Sequence, residues 1–111
     1  MRELLSRVGD KWSMLIIMML SQQPWRFNAL KRSIEGMSQR MLTLTLRNLE
    51  RDGFVVRTVY ASVPPSVEYA LTPLGESLCE PVSALGRWVQ DNMGQIGTAR
   101  RRYDAAAKRN A

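Results

Sequence analysis

Histidine is absent from the 111 residues and cysteine occurs once, at Cys79. Without histidine there is no Ser-His-Asp or Cys-His arrangement, and without several Cys or His ligands there is no zinc site of the usual kinds. A lone cysteine closes no disulfide within the chain, which makes a reducing cytoplasm the expected location. Long apolar runs are also missing: the longest, Met14 to Leu20, has seven residues, against roughly 20 for a membrane-spanning helix. Arg2, Arg7 and Lys11 give this run the outline of a signal peptide. Glu3 and Asp10 interrupt the basic stretch, however, and Ser21-Gln22-Gln23-Pro24 is a poor cleavage site, so neither a leader nor a membrane segment is expected. No cofactor or metal motif occurs, and no cluster of nucleophile, base and oxyanion donors, which disfavours an enzyme.

What the chain does have is positive charge and a core of one-domain size. Sixteen Lys and Arg face ten Asp and Glu for a net +6, and 45% of the residues are apolar. Such a balance favours a polyanionic partner. The excess is uneven. Residues 26–57 hold seven positive and three negative groups, and residues 98–111 hold five against Asp104. Residues 58–97 hold Arg87 against Glu68, Glu76, Glu80 and Asp91. A charge run is by default a solvated face, and the tail is read that way; the middle block falls on a recognisable scaffold.

Leu4, Leu5 and Val8 form a short helical stripe ended by Gly9, and Asp10 resembles the N-cap of a second helix. Lys11 to Ser21 is apolar nearly all round, as in a helix buried on most sides or shared with a partner chain. Met14, Met18 and Met19 would fill gaps there, and Trp12, Trp25 and Trp88 are assigned to packing. After Pro24, Phe27, Leu30 and Ile34 recur at helical spacing. Glu35-Gly36-Met37 breaks the pattern and Ser38 is a strong N-cap candidate. Leu42, Leu46 and Leu49 then face inward until Asp52-Gly53. Two helices joined by a tight glycine turn make a helix-turn-helix.

From Phe54 to Tyr60 and from Val67 to Leu71 the residues are β-formers, and Ala61 to Ser66, with Pro64 and Pro65, is a protruding loop between them. This hairpin is a wing. Arg57 and Glu68 are expected to pair at its base. Thr72 and Pro73 suit N-cap and N1 of a last helix, whose stripe of Leu74, Leu78, Val82, Leu85, Val89 and Met93 runs some five turns past Pro81. Cys79 beside Leu78 is expected to be buried and unreactive. Beyond Gly94 and Gly97 the Arg- and Ala-rich tail is either helical or frayed. The fold class is therefore mainly α with a small β-hairpin. It is organised as a winged helix-turn-helix over residues 1–97, with a basic tail over 98–111.

A helix of this kind fits the major groove of B-DNA, where side chains near its N-terminus reach base edges. Those are Ser38, Gln39, Arg40, Thr43, Leu44 and Arg47. Arginine can bind guanine bidentately, glutamine can bind adenine, and a threonine or leucine methyl can meet that of thymine. Arg26, Lys31, Arg32, Arg51 and Arg57 are better placed for phosphates. The competing reading is a winged-helix module that binds a protein.

Four co-linear pieces resemble the HxlR-type winged-helix regulators of bacteria, relatives of the MarR group. They are Gly9-Asp10-Lys11-Trp12, Arg26-Phe27-Asn28-Ala29-Leu30, Ser38 to Thr43 with Leu46 to Gly53, and Val63 to Gly75. The resemblance implies a homodimeric transcription regulator whose fourth helix and wing bind an operator. Its first and last helices would make the dimer, here through Leu4, Leu5, Val8, Leu78, Val82, Leu85, Trp88 and Val89. The reading leaves an unidentified small-molecule effector as a further partner. Two departures stand out. Many relatives carry a cysteine shortly before the Gly-Asp-Lys-Trp motif that some use as a redox sensor, and Met1 to Val8 has none. Leu44 stands where the family is expected to be polar.

Overall fold

Asp10 separates the first two helices of the computed structural model, which describes residues 1–110. Helix α1 covers Arg2–Gly9 and α2 covers Lys11–Gln22. The Asp10 carboxylate accepts from the Ser13 N–H at 3.1 Å and from its Oγ at 3.4 Å, an N-cap of a kind that contributes about 1 kcal/mol. Strand β1 (Trp25–Arg26) leads directly into α3 (Phe27–Ser33). Gly36, at φ +79°, makes the turn that L-residues disfavour. Ser38 then caps α4 (Gln39–Arg51), its Oγ accepting from the Met41 N–H at 3.1 Å.

Strands β2 (Val55–Tyr60) and β3 (Ser66–Leu71) form the hairpin, and β1 adds to it in the order β1-β3-β2, all antiparallel. The sheet therefore has three strands where the sequence suggests two. Trp25 lies opposite Tyr69 and Arg26 opposite Glu68. Helix α5 starts at Pro73 and runs to Arg109, so the open question of the tail resolves as helix. Its start is locked: the Thr72 N–H donates to Phe54 O, the Thr72 hydroxyl donates to Gly53 O, and the Gly75 N–H donates to Thr72 Oγ1.

The chain forms two compact units, Met1–Glu80 and the segment from Pro81 onward. The first holds the core of Ile16, Ile17, Leu20, Leu30, Ile34, Leu42, Leu46, Leu49, Val55 and Tyr69. Full burial of one such aliphatic side chain stabilises by about 1.5–3 kcal/mol. Trp12, Met19, Trp25, Leu78 and Cys79 pack against that core. Helix α2 contributes Ser13, Ile16, Ile17 and Leu20 to the interior, while Leu15 is exposed. In the second unit Val82 is buried, whereas Leu85, Trp88, Val89 and Met93 are exposed.

Candidate nucleic-acid interface

The inner leucines of α4 fix which side of the helix faces out. Leu42, Leu46 and Leu49 are at most 1% exposed, so the helical period places Gln39, Arg40, Thr43 and Arg47 on the opposite side. Those four and Leu44 line one open surface of about 510 Å³ on the first unit. All six positions from the base-reading set, Ser38 included, are exposed. The Ser38 hydroxyl is engaged as the cap of α4. Leu44 is 53% exposed, which places an apolar side chain on the same outward face.

Arg40 and Arg47 make no ion pair with any described carboxylate, so both guanidiniums keep their donors for another partner. Lys31 reaches across the turn from α3, its Nζ donating to Gln39 Oε1 at 2.9 Å. This contact fixes the glutamine amide so that its NH₂ group points to acceptors elsewhere. Sequence reasoning missed it because the two residues are eight positions apart and meet only once the turn is folded. Arg26, Lys31, Arg32, Arg51 and Arg57, the five expected phosphate contacts, are all exposed. Arg26 also stacks over Tyr60, with 5.3 Å from Cζ to the ring centroid.

The expected pair between Arg57 and Glu68 does not form. Arg57 lies opposite Tyr69 in the ladder and Glu68 opposite Thr58, and alternate positions on paired strands point to opposite faces. Arg57 instead turns toward α4, where its Nε is 3.8 Å from Glu50 Oε2. Thr43, Arg47, Glu50, Arg57 and Tyr69 line a small cleft there, about 210 Å³ in volume. Glu68 accepts a hydrogen bond from the Tyr60 hydroxyl at 3.1 Å, and this bond pushes the phenol pKa up.

Arg7 carries a role the sequence did not suggest. From α1 its Nη1 donates to both Asp52 oxygens at 2.9 Å, tying the first helix to the C-cap of α4. Donating to the Asp52 carboxylate raises the guanidinium pKa above its ordinary value. Burial pushes the Cys79 thiol up, with Glu76 adding to the effect. Its Sγ donates to Gly75 O at 3.6 Å. Such a thiol is set for packing more than for thiolate chemistry. Among the described residues no group of acidic, cysteine or histidine side chains is arranged to hold a metal ion, and no helix is long and apolar enough to cross a membrane.

A helical unit whose glycine turn presents an exposed basic helix, followed by a β-hairpin, is a winged helix-turn-helix, the architecture of many DNA-binding transcription regulators. The model of the HxlR-like helix-turn-helix family matches residues 7–96, and the chain belongs to that family. It is 45% identical over 95 residues to the uncharacterized HTH-type transcriptional regulator YtfH of Escherichia coli (strain K12), covering 86% of this chain and 75% of that one. Among solved structures, a proposed transcriptional regulator, ytfH of Salmonella typhimurium, superposes with a TM-score of 0.82 at 43% identity, over 90% of this chain and 89% of the other. The redox regulator HypR in its reduced form gives a TM-score of 0.81 at 38% identity, over 87% and 96%.

Proposed function

We propose that the protein is a sequence-specific, double-stranded-DNA-binding transcription regulator that acts as a cytoplasmic homodimer on an inverted-repeat operator. The observation that carries this reading is the outward face of α4. Gln39, Arg40, Thr43, Leu44 and Arg47 share one exposed surface, and no described carboxylate pairs with its two arginines. Base-edge recognition asks for donors of this kind at the start of a helix. Arg26, Lys31, Arg32, Arg51 and Arg57 supply exposed cations for the phosphates on either side. The names borne by the relatives point the same way.

Homodimerisation is supported by apolar side chains left open in the single chain: Leu4 and Leu5 on α1, and Leu85, Trp88 and Val89 on α5. Val8, Leu78 and Val82 complete the proposed interface, although Val82 is already buried within its own chain and Leu78 packs against that chain's core. HypR is named a redox regulator; the cysteine of this chain, Cys79, packs against the core.

Selection of bound duplexes from a randomised library, together with a mass measurement of the free protein, tests the proposal. The expected result is a palindromic consensus with half-site centres about 34 Å apart and a mass of two chains. A single-chain mass with no preferred duplex sinks it. Binding that is flat in ionic strength points instead to a protein partner, because phosphate contacts make DNA binding steeply salt-dependent.

A further inference from the structure

The last stretch of α5 lies beyond residues 7–96, the span matched by the family, and it is helical to Arg109. At about 100° per residue, Arg101, Arg102, Lys108 and Arg109 fall within about 120° of the helix circumference, centred on Ala105. All four are exposed, and none pairs with a described carboxylate. The one polar contact in the group is from Arg101 Nη2 to Thr98 Oγ1 at 3.2 Å, and it leaves the other guanidinium donors free. Asp104, the only acidic residue after position 97, lies to one side of the stripe.

We propose that this stripe is a second, sequence-independent DNA contact, which holds backbone phosphates. The inference rests on the reading of the protein as a duplex binder. Complementarity to a line of phosphates favours it, since four cations along about 12 Å of helix meet a polymer with one charge per about 3.4 Å of each strand. Lys108 and Arg109 also complement the C-terminal end of the helix dipole, but Arg101 and Arg102 lie too far from that end to act in this way. A membrane surface is the poorer match. The side opposite the stripe holds Tyr103, Ala107 and the cationic Arg100, with none of the bulky aliphatic residues that an interfacial helix buries in lipid.

The test compares the full chain with its Arg101→Gln, Arg102→Gln, Lys108→Gln, Arg109→Gln variant. Glutamine keeps helix propensity close to that of the residues replaced, and circular dichroism checks that helix content is retained. Binding is titrated against salt on the library-selected duplex and on a random duplex of equal length, and in parallel on vesicles containing anionic lipid. The expected variant shows a salt slope shallower by up to about 3.6 per chain. Its affinity falls by about 10- to 100-fold near 0.1 M salt on both duplexes, and their ratio stays unchanged. An unchanged slope with the selected-over-random preference intact overturns this inference alone. A variant that loses only vesicle binding also overturns it, in favour of a membrane role. If the natural chain binds no duplex at all, the proposed function fails as well.

Discussion

Gln39 is positioned by a neighbour that the linear sequence keeps distant. With Oε1 accepting from Lys31, its amide NH₂ is the group left to meet a base acceptor, so Lys31 bears on sequence preference as well as on charge. Arg40 and Arg47 have no such partner. Arg40→Ala and Arg47→Ala are each expected to weaken binding to the selected duplex by about 1–3 kcal/mol and to relax the preference at one base position. Arg32→Ala is expected to weaken all duplexes alike and to lower the salt slope by about one. Fluorescence anisotropy on selected and random duplexes separates the cases, and equal losses on both for the α4 arginines rule out base reading. Tyr69 gives a different kind of test. Burial raises its pKa above the ordinary 10.0, with Glu50 adding to the rise and Arg57 opposing it. The folded state then keeps a proton that the unfolded chain releases. The stabilisation is complete below pH 10 and is lost as pH climbs through the folded value. Denaturation midpoints above about pH 10 should accordingly fall less steeply in Tyr69→Phe than in the natural chain.

At the scale of elements, the start of α5 meets the residue before β2 through Gly75. A Cβ built there lies 2.1 Å from the Phe54 carbonyl oxygen, a backbone atom that the Thr72 N–H also holds. Neither side can yield without shifting β2 or the start of α5. Gly75→Ala is therefore expected to destabilise by about 1–3 kcal/mol, read as a lowered denaturant midpoint at unchanged slope. Arg7 and Asp52 couple α1 to α4 in a second way. Arg7→Gln and Asp52→Asn are expected to give losses that fail to add in a double-mutant cycle, and additive losses would show that the contact carries no coupling. Most elements were legible because their signals are local: Asp10, Ser38 and Thr72 cap the helices they were assigned to, and the leucine period of α4 marks its inner face. What escaped was long-range. Two-residue β1 has no periodicity to detect and exists through its pairing with β3. The Arg57 partner depended on hairpin register. The helix continues through Gly94 and Gly97, each costing about 1 kcal/mol relative to alanine, and the alanines and terminal cations that follow favour it.

For the whole molecule, the question is whether one copy suffices. Leu85, Trp88 and Val89 stand at i, i+3 and i+4 on a single helix face, and Trp88 is 56% exposed, more apolar surface than an isolated helix in water retains without need. A second copy that covers it would bring two α4 helices onto one duplex. Linking two modest half-site contacts typically raises affinity by about 10²–10⁴-fold with no new contact to DNA. Leu85→Asp places a charge on that face without touching the buried core, so the fold should survive while the assembly does not. Light scattering should then report one chain instead of two, and the unfolding temperature should lose its dependence on protein concentration. Affinity for a single half-site should stay where it was, while affinity for the full inverted repeat should fall by about the linking factor. A variant that becomes monomeric yet binds the full repeat as tightly as before would mean that one recognition helix does all the reading, and that the exposed face of α5 serves some purpose other than pairing.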